Sequence, residues 1–308
     1  MSRHFITLND VSVTELERIF EHSVQIKADV KRGIRQPLLA NKTIAMIFEK
    51  PSLRTRVSFE AGMTQLGGSS MFLGADVGFG KRETTADFGH VLSSMVDAIV
   101  FRSKNHDSVV ELAQYCTCPV INALTDKSHP CQALADLLTV REEFGNVKGL
   151  KIAWVGDSNN VAVSLIRICA KTGVRFAAAS PDGYQFDESQ LDEIIGRDRH
   201  PDFEYELTPD PMKAVRDANA IYTDVWVSMG QEAEEAERKK VFAKYQVNDS
   251  LMAAAGKNCI FLHCLPARRG LEVTDSVMDS PQSRIVQQAE NRMHAQKGLL
   301  VWLLNEAK

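Results

Sequence analysis

Apolar positions along the 308-residue chain follow two rhythms. Leu16, Ile19, Phe20 and Val24 recur at helical spacing behind Ser12 and Glu15, a pair with capping-box spacing. They predict an opening helix that ends near Gly33. Short runs, mostly β-branched or apolar, then alternate with helical stretches: residues 43–48, 98–101, 119–123, 151–155, 175–179, 220–223 and 260–262. Runs of this length suit strands buried on both faces of a parallel sheet. The alternation predicts an α/β protein.

A helical stretch over 132–144 stops at Gly145, and a new strand starts at Lys151. A chain of 308 residues exceeds what one ordinary core serves. We therefore expect two doubly wound domains with central parallel sheets, 1–145 and 146–285. The final helix, within 286–308, carries Leu299, Leu300, Trp302, Leu303 and Leu304, which need a core to cover them. It is expected to pack back on the first domain and count with it.

Composition narrows the function. Hydrophobic residues are 44% and charged residues 25%, the balance of a folded chain, and the net charge of −4 offers no basic stripe for nucleic acid. No apolar run approaches the roughly 20 residues of a membrane span, and the N-terminus lacks the apolar core of a secretory signal. Cys116, Cys118, Cys131, Cys169, Cys259 and Cys264 form no CxxC pair and no regular framework, which points to reduced thiols in the cytoplasm. Cys116 and Cys118 lack the second pair a zinc site would need, so no metal is expected.

In open parallel sheets, ligands bind beyond the carboxyl ends of the strands. Polar or reactive residues follow six of the runs. Ser52, Leu53, Arg54 and Thr55 follow the first, with Ser52 at a helix start. Free amides of a first helical turn favour an anion, and a guanidinium suits phosphate. Arg102 ends another run and could close on the same anion. Alone, the segment fits an ordinary capped helix equally well. His129 and Gln132 lie one turn apart behind Pro130, placed to donate to a carbonyl oxygen whose charge grows during attack. Asn159 and Asn160 follow Gly156 without the GxGxxG spacing of a dinucleotide site, so no nicotinamide cofactor is expected. Asp224 ends one run, and His263 and Cys264 follow another. Neighbours on an extended segment face opposite ways, so these two are not expected to pair.

Taken together, the segments resemble the transcarbamoylase family. Ser52-Leu53-Arg54-Thr55-Arg56 is similar to its Ser-Thr-Arg-Thr-Arg phosphate motif, and His129-Pro130-Cys131-Gln132 matches its His-Pro-x-Gln motif. The stretch from Asp224 through Ser228, Met229 and Gly230 resembles the ornithine-binding loop. His263-Cys264-Leu265-Pro266 is the signature of the ornithine branch. The resemblance implies a carbamoyltransferase without cofactors, acting on carbamoyl phosphate and ornithine in a cleft between the domains, and a homotrimer or multiple of trimers. Ser52, Leu53, Arg54 and Thr55 would hold the phosphate, with Arg102 and Arg292 adding charge. His129 and Gln132 would hold the carbamoyl group. Cys264 and Leu265 would lie against it, near the reacting amine. Asn160, Asp224, Ser228 and Met229 would hold the amino-acid end of ornithine.

Two departures stand out. Leu53 replaces a threonine, and Gly78 stands where many members carry Gln or His, a contact that nearby Lys81 could supply. An acceptor such as N-acetylornithine or putrescine, a dehydrogenase on a similar sheet and a non-catalytic binding protein are the rival readings. The missing Gly-rich fingerprint opposes the dehydrogenase, and the four ordered motifs oppose the binding protein.

Overall fold

A computed structural model describes residues 2–227 and 232–307, with the backbone alone of Glu232. It divides into two compact units, Met1–Ala135 with Glu290–Lys308, and Asp136–Ala289.

The first unit holds a four-stranded parallel sheet, β1 (Thr43–Phe48), β2 (Ser69–Leu73), β3 (Ala98–Arg102) and β4 (Val120–Leu124), in the order β2-β1-β3-β4. Helices α1 (Val13–Lys31), α2 (Leu53–Gln65), α3 (Thr85–Ser93) and α4 (His106–Tyr115) accompany it, and α5 (Pro130–Phe144) begins in it. The second unit holds five parallel strands, β5 (Lys151–Val155), β6 (Arg175–Ala179), β7 (Tyr205–Thr208), β8 (Ala220–Thr223) and β9 (Ile260–His263), in the order β7-β6-β5-β8-β9. Its helices are α6 (Asn160–Thr172), α7 (Leu191–Ile195), α8 (Pro211–Val215), α9 (Glu235–Phe242), α10 (Asp249–Ala255) and α11 (Asp275–Met278), and α12 (Ile285–Asn305) starts there. The expected doubly wound parallel sheets are present. The unit divisions fall inside α5 and α12.

Seven strands stand where the apolar runs place them, within a residue or so at each end. β2 and β7 escape the pattern for one reason. Each is an edge strand, β2 with no buried residue and β7 with only Thr208 buried, so neither Ser-Ser-Met-Phe-Leu nor Tyr-Glu-Leu-Thr needs a continuous apolar run.

The capping box at the start of α1 forms as spaced, Ser12 with Glu15. The last helix packs on α1, as expected. A Cβ on Gly298 would lie 2.1 Å from Ser23 Oγ and 2.5 Å from the Ile19 carbonyl, so only glycine permits that approach. Close by, Lys27 Nζ donates to Asn291 Oδ1 at 2.6 Å. Leu299, Leu300 and Trp302 are buried.

Candidate active site

Sheet order puts the polar strand ends at two reversal points. In the first unit the chain leaves β1 for β2 on one side, then returns to β3 on the other. In the second it leaves β5 for β6 and β7, then returns to β8. A crevice forms at such a point, and the segments after the two flanking strands line it. Those segments carry Ser52–Thr55 and Arg102 in one unit, and Asn159, Asn160 and Asp224 in the other.

In the first unit Ser52 occupies the N-cap position of α2. Its hydroxyl does not cap the helix; it donates to Thr55 Oγ1 at 3.0 Å. The first turn is therefore not closed by its own serine. Leu53 is 75% exposed, so its side chain adds nothing to the core, while its amide belongs to that first turn. Arg102 ends β3 where the ladder to β4 shifts register, an irregularity that re-aims a side chain. Glu49 accepts from Ser103 Oγ at 2.8 Å and Lys104 N at 2.9 Å, tying the ends of β1 and β3 together.

His129 caps α5 through its carbonyl, which accepts from the Gln132 and Ala133 amides, and Pro130 takes the first helical position that suits its fixed φ. Arg292 Nη1 donates to Gln132 Oε1 at 2.7 Å, and Nη2 donates to Thr55 Oγ1 at 3.1 Å. The first bond orients the carboxamide, so the Gln132 NH2 group points away from the guanidinium.

The electrostatics of this group are unusual. Arg102 is 7% exposed, and burial followed by repulsion from Arg292 and Arg54 pulls its pKa down to about 10. Burial, then the same three arginines, holds His129 well below the ordinary histidine range. The imidazole is therefore neutral near pH 7. Three guanidiniums gathered around a neutral imidazole favour an anion strongly.

In the second unit Asp224 is nearly buried, and protein donors reach both its oxygens. Oδ1 accepts from Cys264 Sγ at 3.0 Å and from the Val225 amide at 2.8 Å, and Oδ2 accepts from Asn159 Nδ2 at 2.9 Å. Asn159 also caps α6, with Oδ1 accepting from Val161 N and Ala162 N. Asn159, which the family resemblance does not single out, makes this contact to Asp224, and its N-cap position is the sequence signal for it. Asn160 is the first residue of α6 and half-buried. Leu265 adopts φ +59, and its amide donates to His263 Nδ1 at 2.9 Å. Cys264 therefore pairs with Asp224 and not with its neighbour His263. Ser228 and Met229 lie outside the described residues.

Asp224, His263 and Cys264 offer ligand atoms within 4.8 Å of one another, the one such group among the described residues. The imidazole is poorly placed to join a metal. Nδ1 accepts the Leu265 amide, and Nε2 faces Glu272 Oε1 at 3.2 Å. Gly78 has φ +71, where a side chain would be strained, and a Cβ there would meet Arg82 Cδ at 2.7 Å. Lys81 lines a cavity of about 260 Å³ at the ends of β1 and β2, together with Phe48, Glu49, Phe79 and Lys104.

Residues 3–142 match the carbamoyl-P binding domain of aspartate/ornithine carbamoyltransferases, and residues 148–303 match their Asp/Orn binding domain. The chain belongs to the aspartate/ornithine carbamoyltransferase family. It is 52% identical over 303 residues to an ornithine carbamoyltransferase of Anoxybacillus flavithermus, covering 98% of this chain and 96% of the relative. The solved ornithine carbamoyltransferase of Pyrococcus furiosus superposes with a TM-score of 0.95 at 48% identity, over 100% of this chain and 98% of that one. That of Gloeobacter violaceus gives 0.86 at 42%, over 99% of each.

Proposed function

We propose that this enzyme transfers the carbamoyl group of carbamoyl phosphate to the δ-amine of L-ornithine, giving L-citrulline and phosphate. The observation that carries the reading is the gathering of Arg54, Arg102 and Arg292 around the neutral His129. Carbamoyl phosphate brings its own leaving group. The work left to the protein is to orient the amine and to stabilise the oxyanion and the departing phosphate.

The roles follow from the chemistry of each group. First-turn amides of α2, with Ser52, Leu53, Arg54 and Thr55, receive the phosphate, and Arg102 and Arg292 balance its charge. His129 donates to the carbamoyl oxygen, and the Gln132 carboxamide, fixed by Arg292, meets the carbamoyl group. Asp224 takes the α-ammonium of ornithine, with Asn160, Ser228 and Met229 at the same end and Asn159 holding the carboxylate in place. Cys264 and Leu265 lie beside the attacking amine. An amine of pKa near 10.4 is neutral in only about one part in a few thousand at pH 7, so the site must select that form.

Residues 1–145 with 286–308 then serve carbamoyl phosphate, and 146–285 serve ornithine. A homotrimer or multiple of trimers in the cytoplasm fits the exposed apolar side chains of Leu53, Val57 and Met71, and the free thiols of all six cysteines. No helix among the described residues is long and apolar enough to cross a membrane. Citrulline formation by the purified protein from both substrates tests the reading. Product with putrescine or N-acetylornithine but not with ornithine would overturn the choice of acceptor.

A further inference from the structure

Helices α5 and α12 each carry buried polar side chains one turn apart: Gln132 and Asp136 on α5, Gln288 and Arg292 on α12. All are at most 3% exposed. Residues four apart share a helix face. Arg292 meets Gln132 at 2.7 Å, and Gln288 Nε2 donates to Asp136 Oδ1 at 2.6 Å. The two helices are thus joined by two polar rungs with the same spacing. The proposed chemistry uses only the first.

The second rung is anchored on both sides. Asp136 Oδ1 also accepts from the Tyr222 hydroxyl of β8 at 3.3 Å, and Gln288 Oε1 accepts from the His263 amide at the end of β9 at 2.8 Å. Burial pushes the Tyr222 hydroxyl far above its ordinary range, so it stays a donor. A carboxylate deep in a core is costly unless its bonds are made, and an apolar residue would fill the same space more cheaply. Asp136 gives something an apolar residue cannot: a directional grip on one face of α12.

We propose that Asp136 is a positioning residue for the transfer reaction. By holding Gln288 it sets the rotation and axial register of α12 against α5, and so brings Arg292 onto Gln132, Thr55 and the phosphate. The proposal rests on the reading of Arg292 and Gln132 as contacts of carbamoyl phosphate.

The rung is an amide facing a carboxylate, so the two groups can be exchanged. Gln288→Glu sets two carboxylates against each other. Combining it with Asp136→Asn restores one donor and one acceptor across the rung and keeps the bond from the His263 amide, while the NH2 group introduced at position 136 meets the Tyr222 hydroxyl as a donor in place of an acceptor. We expect Gln288→Glu to lower kcat/KM for carbamoyl phosphate by about tenfold to a hundredfold, the range for coupled neighbours in one network, and the double variant to recover most of that loss. Gln288→Met removes the rung without repulsion and should raise the KM for carbamoyl phosphate in a protein that remains folded at the assay temperature. If Gln288→Glu does not fold, Gln288→Met decides alone. A lower Tm with unchanged kinetic constants would make the rung merely structural and overturn the proposal, as would a double variant no better than Gln288→Glu. Arg292→Met, assayed alongside, separates the two layers. If it leaves carbamoyl phosphate use intact, the reading of the site fails. If it impairs use while Gln288→Met does not, only the positioning role falls.

Discussion

The two crevices satisfy their charges in opposite ways. Around His129, buried cations face one another, and burial with mutual repulsion lowers the Arg102 pKa. Around Asp224, the carboxylate is already matched by Cys264, Asn159 and a backbone amide. The first site gathers like charges, and their mutual repulsion is a cost carried within the fold. The second is at rest, and a ligand ammonium must compete with donors already in place. One gains affinity from gathered like charge; the other gains selectivity, because only a group that replaces the displaced bonds is accepted.

The largest break in this contrast should come from the arginines. Arg54→Ala and Arg102→Ala should each lose about 2–4 kcal/mol of transition-state stabilisation, a charge-assisted bond in a closed site. Arg102→Met should also raise Tm in the absence of phosphate, since it removes a buried charge that its neighbours repel. A fall in both activity and Tm would show that the site is not strained as described.

Asp224 should behave differently. Asp224→Asn should lower kcat/KM for ornithine by about a hundredfold, or 2.8 kcal/mol at 1.4 kcal/mol per tenfold, and leave the KM of carbamoyl phosphate nearly unchanged. Asp224→Ala, which leaves Asn159 Nδ2 without its acceptor, should lower Tm as well. Steady-state kinetics with each substrate varied in turn, and a melting curve, check both. Cys264→Ser keeps a donor to Asp224 and should cost only about tenfold with ornithine. Loss of all turnover would instead indicate a covalent role for the thiol.

The smallest effect concerns pH. The folded protein holds the His129 pKa well below 6.5, while the unfolded chain takes up a proton near 6.5. As the pH falls through that value the unfolded state binds the proton and the native state does not. Stability is therefore complete above 6.5 and declines on acidification, by at most about 1.4 kcal/mol per pH unit from this one group. Inorganic phosphate should blunt the decline, because an anion favours the imidazolium. A His129→Asn protein with the same slope of Tm between pH 7 and 5 would assign the effect elsewhere.

Much of this was legible in the chain because burial dictates composition. Strands covered on both faces must be apolar, so seven could be read directly, whereas β2 and β7 are incompletely buried at sheet edges and leave no such mark. The phosphate segment showed itself through a serine and an arginine at a helix start. The partnership of Asp224 with Cys264 did not, because 40 residues separate them and only the pairing of β8 with β9 unites them. Arg292 came solely from family resemblance; inside a long helix, nothing in its spacing marks it as functional. Asn159 stands apart from Asn160 only through its place at the helix cap, which puts its side chain on Asp224.

The serine at the head of α2 has a kinetic consequence. Its hydroxyl is turned to Thr55, and the first bond of the helical ladder runs from Arg56 N to the Ser52 carbonyl, so residues 53–55 stand ahead of the ladder. A bound phosphate would do what the serine does not and become the missing cap of the helix. Fraying of that turn and occupancy of the crevice are then one equilibrium seen from two sides. Amide hydrogen exchange at 53–55 should slow in step with phosphate saturation, while the interior of α2 keeps its rate. The same turn would report binding of an unreactive anion as readily as that of a substrate.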